Sequence, residues 1–298
     1  MSWTRMPFVL LLIGILLINV PQGQPPEIVI VHMPELESAQ KRSLDPSSLR
    51  LVTYNIQHGA GLDTQVDLTR VGSTLMATDA DVIFLTEVDS HWRRSGFVDQ
   101  PTELAMMLQT PYVAFAPALT RPGTNAMYGN ALLSRFPIEE AERISLPSGP
   151  WQEPRVVLSA AIRLPNGMLL RIIGTHLGLN HSDRLAQAAI LRELRSMYDT
   201  DLLVLMGDLN AHPDSPEIQL LLGAPDDGER SARWVDPMQG SRTPATFPTH
   251  APRARIDYIL VSENLKPMIR AYSSPFSDAS DHLPVLAELS LTEGGAHQ

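Results

Sequence analysis

The chain has 298 residues, 44% apolar and 19% charged, and its 33 acidic against 23 basic side chains give a formal net charge of −10. That apolar content can bury a sizeable core and excludes a disordered tail. The absence of cysteine excludes a disulfide scaffold, a cysteine nucleophile and a thiolate metal site. The acidic balance also disfavours coating nucleic acid without sequence preference, which rests on Lys and Arg contacts to phosphate.

In chain order, Met1 to Arg5 carries one positive charge, and Pro7 to Val20 is almost wholly apolar before Pro21-Gln22-Gly23-Gln24-Pro25-Pro26 breaks the run. This is the layout of a secretory signal. The apolar run, about 14 residues, is short for a membrane span, which needs roughly 20. No small-x-small pair marks a clean cleavage site, so an uncleaved anchor stands beside the signal reading. Either one places the rest of the chain outside the cytoplasm. Residues 1–24 are therefore expected to be a signal peptide or membrane anchor, 25–48 a linker, 49–292 one folded domain and 293–298 a tail.

Leu49 to Asn55 reads as a strand, and Leu68 to Thr78 as a helix with Leu68, Val71, Leu75 and Met76 at helical spacing. Asp81 to Leu85 reads as a strand buried on both faces. Thr102 to Leu108 reads as a short helix with Pro101 at its start. Ala131–Ser134, Val156–Arg163 and Met168–Gly174 read as strands, the last two joined by a turn at Pro165-Asn166-Gly167. Ser182 to Tyr198 is the strongest helix, with Leu185, Ala189, Leu191 and Leu194 expected on its inner face. Leu202–Met206, Ile256–Val261 and Leu283–Leu291 complete the strands. This alternation fits one α/β domain with mixed sheets and covering helices.

Polar side chains recur where the apolar strands end or begin. Asn55, Glu87, His176, Asp208 and Asn210 follow strands; Asp257 sits inside Arg255-Ile256-Asp257-Tyr258; Asp281 and His282 precede Leu283-Pro284-Val285. Strand ends in α/β proteins converge on one crevice, so these residues can meet. Taken singly, an Asp or Asn after a strand is more often a cap or turn residue, and His176 alone could be a satisfied core histidine. Six such strand ends together are poorly explained that way. The donors are oxygen-rich and suit Mg²⁺, with Mn²⁺ or Ca²⁺ also possible; Zn²⁺ fits less well without a short His spacing. A hard cation beside carboxylate-held histidines is a coherent hydrolytic set.

These residues carry a resemblance. Thr53-Tyr54-Asn55-Ile56, Thr86-Glu87-Val88-Asp89, Gly129-Asn130-Ala131-Leu132-Leu133-Ser134, Thr175-His176-Leu177, Gly207-Asp208-Leu209-Asn210, Arg255-Ile256-Asp257-Tyr258 and Ser280-Asp281-His282-Leu283-Pro284 resemble, in order, the motifs of the endonuclease/exonuclease/phosphatase family, over Arg50 to Leu289. The resemblance implies a four-layered α/β sandwich, two mixed sheets packed face to face with helices outside. It implies that Glu87 is the main metal ligand, with Asn55 beside it and Asp281 helping to hold the cluster. His282 would be the general base or would bind the scissile phosphate, oriented by Asp257. Asp208 and Asn210 would position water and phosphate, and His176 would contact the phosphate or act as the acid.

Arg93-Arg94-Ser95-Gly96, Tyr128-Gly129-Asn130, Glu153-Pro154-Arg155, Arg184-Leu185-Ala186-Gln187 and Thr246-Phe247-Pro248-Thr249 look like bacterial members and like the domain that remodels the lipid of glycosylphosphatidylinositol anchors. On that likeness Arg94, Tyr128, Asn130 and Arg155 are candidate substrate-pocket residues. The bland alternatives are that Arg155 pairs with Glu153 on a surface and that Arg184 and Gln187 brace their helix. Arg242, Arg253 and Arg255 form a modest basic stretch near Asp257, enough for one phosphate. Lys41 and Lys266 are the only lysines, which speaks against a long nucleic-acid backbone; the family resemblance, with the export segment and the acidic balance, implies a metal-dependent phosphoesterase acting on a phosphodiester of a lipid headgroup or small molecule. A nuclease is the alternative that charge disfavours. Membrane association through the N-terminus and a monomeric state are further expectations.

Overall fold

Strands apolar on both faces need cover on both sides, and the chain supplies it with two sheets and two helical layers. The computed structural model describes residues 27–40, 47–198, 202–223, 233–239 and 244–291. In order the elements are β1 (Val29–His32), α1 (Pro34–Gln40), β2 (Ser48–Asn55), α2 (Leu68–Met76), β3 (Val82–Ser90), α3 (Gln100–Leu108), β4 (Tyr112–Thr120), β5 (Met127–Ser134), β6 (Ile138–Leu146), β7 (Arg155–Arg163), β8 (Leu169–His176), α4 (His181–Met197), β9 (Leu203–Asp208), α5 (Pro216–Leu222), β10 (Asp257–Val261), β11 (Ile269–Ser273) and β12 (Val285–Ser290).

One sheet has seven strands in the order β1-β4-β5-β3-β2-β12-β11; the other has five in the order β10-β9-β8-β7-β6. Alternation along each strand divides the apolar side chains into three clusters. Leu51, Phe84 and Leu132 of the first sheet meet Leu158, Ile172 and Met206 of the second in the central core. The outer face of the first sheet packs Val52, Ile83 and Leu133 against Val71, Leu75 and Leu104 of α2 and α3. The outer face of the second packs Ile173, Leu203 and Leu205 against Ala188, Leu191, Ile218 and Leu221 of α4 and α5. The result is the expected four-layered sandwich. The two sheets approach closely where Phe84 lies on Gly174: a Cβ there would fall 1.9 Å from the Phe84 ring.

Two expectations need correction. The span 25–48, read as a linker, contributes β1, which pairs antiparallel with β4 from Val29↔Phe115 to His32↔Tyr112. An open sheet edge offers unpaired backbone groups, and β1 takes them despite its polar, proline-containing surroundings. The inner face of α4 is also rotated from that expected. Gln187, Ala188, Leu191 and Leu194 are buried while Ala189 is exposed, because the loops around the site claim Gln187. The segments expected to be signal or anchor (1–24) and tail (293–298) lie outside the described residues.

β2 and β3 run parallel, and β12 runs antiparallel to β2. In the other sheet β8 and β9 are parallel, and β10 is antiparallel to β9. The C-terminal ends of β2, β3, β8 and β9 therefore share one edge of the sandwich with the starts of β10 and β12.

Candidate active site

Each functional side chain owes its position to a local backbone feature. In β3 the register against β5 slips between Leu85 and Val88, and Glu87 adopts φ 58°. A bulge with a left-handed residue re-aims a side chain that a regular strand would send elsewhere, and here it turns the carboxylate toward the strand ends. In β9, Gly207 has φ +141°, and a Cβ would sit 1.8 Å from the Thr175 carbonyl oxygen. Only glycine lets β8 and β9 approach so closely, which sets His176 directly beside Asp208 in the ladder. Asn210 also lies in the left-handed region, at φ 49°. The Ser280 hydroxyl donates to the Asn55 carbonyl at 2.7 Å and receives the His282 N–H at 3.2 Å, which fixes the turn into β12 against the end of β2.

The side chains converge. Asn55 Nδ2 donates to Glu87 Oε1 at 3.0 Å and to Asp208 Oδ2 at 3.1 Å. His282 Nδ1 lies 2.9 Å from Asp257 Oδ2 and its Nε2 lies 3.7 Å from Asp208 Oδ2. His176 Nε2 lies 3.4 Å from the same Asp208 oxygen and 3.0 Å from the Asn210 amide. Asp208 Oδ2 is thus a common focus for two histidines and an asparagine. Asp281 adds its charge to the fields felt by Glu87 and His282. Asn55, Asp208, Asp257, His176 and His282 are all buried.

Burial drives the proton affinities. It pushes the Asp208 carboxyl up to about 7, aided by the Asp257 charge, and it raises Glu87, with Asn55 opposing. Burial alone would lower His282, but the Asp257 carboxylate, then Asp208 and Asp281, carry it to about 10. His176 goes the other way: burial and the Arg155 cation hold it well below its ordinary value. Arg155 presents a donor to His176 Nδ1 at 3.1 Å and the Asn210 amide nitrogen, also a donor, faces Nε2 at 3.0 Å, so donors flank both nitrogens of the buried ring.

A hard divalent cation fits this donor set. Asp208, Asp257 and His282 place possible ligand atoms within 4.8 Å of one another; His282, held protonated by Asp257, offers no lone pair, which leaves the carboxylates, and the buried Asp257 Oδ1 has no hydrogen-bond partner. Glu87 and Asp208 are carboxylates whose proton affinities are raised chiefly by burial, with neighbouring acids adding to it, and no soft donor is present.

The candidate pocket residues divide. Arg155 does pair with Glu153, at 2.5 Å, but it is buried and reaches His176 as well. Arg94 is clamped by Asp89 through two bonds of 2.8 and 2.7 Å and lies over the rings of Trp92 and Tyr128. Tyr128 is buried close enough to feel the Glu87 charge. Asn130 spends its amide N–H on the Val156 carbonyl at 3.1 Å, tying the two sheets together beside the site. Arg184 and Gln187 brace: Arg184 bonds Glu217 and the Leu179 carbonyl, and Gln187 links Gly178 to Pro147.

The basic stretch is smaller than expected. Arg255 is buried and taken up by Asp236 through bonds of 2.7 and 2.9 Å, Arg253 is exposed, and Arg242 lies outside the described residues. Three supports went unread in the sequence. Asp236 gives no signal beyond a lone acid after Trp234-Val235. Phe247, 4.8 Å from the His282 ring, and Thr246, which receives the Asp257 N–H at 3.3 Å, lie in a motif quoted only for its resemblance.

Residues 52–282 match the model of the Endonuclease/Exonuclease/phosphatase family. The uncharacterized protein YbhP of Escherichia coli K12 is 28% identical over 257 residues, covering 82% of this chain and 97% of its own length. Among solved structures, the endonuclease/exonuclease/phosphatase of Beutenbergia cavernae aligns with a TM-score of 0.62 at 23% identity, covering 82% of this chain and 72% of that one. A mannosyl-6-phosphatase of Bacteroides thetaiotaomicron gives 0.63 at 16%, covering 81% and 99%. The human Nocturnin catalytic domain with bound sulfate gives 0.62 at 18%, covering 89% and 98%. At these identities the solved structures speak for the fold.

Proposed function

Because this chain belongs to the Endonuclease/Exonuclease/phosphatase family of hydrolases, we propose that it is a divalent-metal-dependent phosphodiesterase acting outside the cytoplasm on a lipid headgroup or small diester. The observation that carries the reading is the convergence of His176, His282 and Asn55 on the buried Asp208 Oδ2.

Glu87, with Asn55 and Asp281 beside it, would hold the cation, Mg²⁺ by donor type. A bound cation of that kind polarises a phosphoryl oxygen and offsets negative charge developing on it. The protein's own groups do the rest. His282, kept protonated by Asp257, donates from Nε2 to a phosphoryl oxygen. Asp208, with an affinity of about 7, suits a general base at neutral pH better than His282 does; its Oδ2 takes the proton of the attacking water as the water oxygen bonds to phosphorus, the ester P–O bond breaks, and the departing oxygen takes a proton from solvent. This assigns His282 to phosphate binding, one of the two roles its motif implied. His176, held between the Arg155 and Asn210 donors, would contact the phosphate beside Asp208.

Purified protein should hydrolyse bis-p-nitrophenyl phosphate with Mg²⁺ or Mn²⁺. Equal rates in excess chelator would overturn the metal requirement. The competing nuclease reading is disfavoured by the net charge of −10 and by the loss of Arg255 to Asp236; plasmid nicking with metal present separates the two.

A further inference from the structure

We infer that the catalytic edge of the sandwich docks on a zwitterionic lipid bilayer, with a rim of apolar side chains from six loops entering the interface. Leu62 follows β2, Phe97 follows β3, Leu119 ends β4, Trp151 lies between β6 and β7, Leu179 follows β8, and Phe276 lies between β11 and β12. Every one of these positions is on the catalytic edge, as the strand directions require: β5, β7 and β12 run antiparallel to β3, β8 and β2, so their starts sit beside those strands' ends. The side chains are exposed, Trp151 completely, Phe276 at 74%, Leu179 at 72% and Phe97 at 62%. Isolated exposed apolar residues are ordinary; their distribution here is not. Among the described residues all the exposed large aromatics lie on this edge; at the opposite edge the exposed large apolar side chains are methionines at helix ends, Met76 and Met197, and no aromatic. Trp and Phe at loop tips suit the headgroup boundary, where one end of the side chain is wet and the other apolar.

The sequence preceding the domain leads to the same edge. In the ladder Val29 pairs with Phe115, Phe115 with Ala131, and Ala131 with Leu85. β1 therefore begins at the row of Leu85, on the side of the sheet where Glu87 lies. The chain enters the domain from the catalytic side, about three strand spacings, roughly 14 Å, from β3. The apolar run Pro7 to Val20 is joined to that point by Pro21 to Glu27, which reach at most about 25 Å even when extended. Retained as an anchor in a bilayer, a run on so short a tether would hold the catalytic edge, rather than the opposite one, toward the surface. The net charge of −10 selects a zwitterionic over an anionic surface.

The docking deepens the phosphodiesterase reading by delivering the site to lipid headgroups, yet it is read out separately. Full-length protein is mixed with phosphatidylcholine vesicles carrying brominated acyl chains. Tryptophan quenching should be stronger in the wild type than in Trp151→Phe, the difference being the share of Trp151. A triple variant, Phe97→Ser, Trp151→Ser and Phe276→Ser, should keep its circular dichroism and its rate on bis-p-nitrophenyl phosphate. Equal quenching in wild type and Trp151→Phe would overturn the proposal, as would a lipid-free dimer that the triple variant abolishes. Quenching that rises with added phosphatidylserine would overturn it too. Intact Trp151 quenching with no diester hydrolysis would instead defeat the phosphodiesterase reading and leave the docking standing.

Discussion

Replacing Asp257 by Asn tests the electrostatics of the site most directly. Asp257 Oδ2 holds His282 Nδ1 at 2.9 Å, and both groups are buried. Asp257 is the largest influence lifting His282 from 6.5 to about 10, against a burial penalty that pulls the other way. A rise of that size corresponds to roughly 5 kcal/mol in favour of the imidazolium. With the carboxylate neutralised, only the Asp208 and Asp281 charges remain to oppose burial, and His282 should titrate near or below 6.5. At pH 8 a group titrating at 6.5 is protonated only about 3% of the time, so a reaction needing the imidazolium slows by roughly 30-fold from protonation alone. Stability follows by linkage. A histidine raised in the folded state contributes stability fully below 6.5 and loses it as pH rises through about 10. The wild-type advantage over Asp257→Asn in urea midpoint should therefore be greatest near pH 6 and shrink toward pH 10. Proton NMR of the His282 ring, in metal-free full-length protein, measures the titration. A wild-type His282 titrating within one unit of 6.5, or one unmoved by Asp257→Asn, would refute the reasoning.

Glu87→Gln should weaken Mg²⁺ binding, read by calorimetry, and cut turnover on bis-p-nitrophenyl phosphate by on the order of 10³-fold; unchanged Mg²⁺ affinity would show that the cation sits elsewhere. Stabilisation by Mg²⁺, measured as a melting shift, should grow from pH 6 to pH 8. Asp208 and Glu87 hold protons longer than ordinary carboxylates do, and these must leave before a cation binds; a flat profile would count against both residues as parts of the site. Gly207→Ala should destabilise the fold by several kcal/mol, because its Cβ would meet the Thr175 carbonyl at 1.8 Å; a normal melting point would mean that the two strands can separate at little cost.

The positions of the site residues were legible because apolar strands announce their own ends: Asn55, His176 and Asp208 each close a run of buried Leu, Ile or Val. What they do to one another was less so. Glu87 looks like one more residue of β3, and nothing in Thr86-Glu87-Val88 marks the bulge that turns it, since the bulge arises from pairing with β5. The partners of arginines were hidden for a similar reason. Arg255 reads as a free cation beside Asp257, yet its neutralising carboxylate, Asp236, lies nineteen residues away across a loop. Besides β1, three strands escaped notice because their patterns are weak. β4 carries Pro117, β6 alternates Glu and Arg with apolar residues along the open edge of its sheet, and β11 is largely exposed. Such strands, β6 and β11 at sheet edges and β4 just inside one, are specified by the neighbours they pair with more than by their own apolar content.

The same distribution of charge bears on substrate size. Glu87, Asp208, Asp257 and Asp281 gather around one imidazolium, and the nearest guanidinium groups, Arg94 and Arg155, are each already paired with an acid, Asp89 and Glu153. A single phosphate can be accommodated at that balance once a divalent cation is added, because its charge is met locally by His282 and the cation. A polyanionic backbone would bring further phosphates to a rim that offers apolar side chains, Trp151, Leu179 and Phe276, instead of further cations. Each uncompensated phosphate then costs affinity rather than adding to it. On the reading proposed above, the acidic cluster and the apolar side chains around it favour one kind of substrate: a single charged diester with an uncharged or apolar remainder.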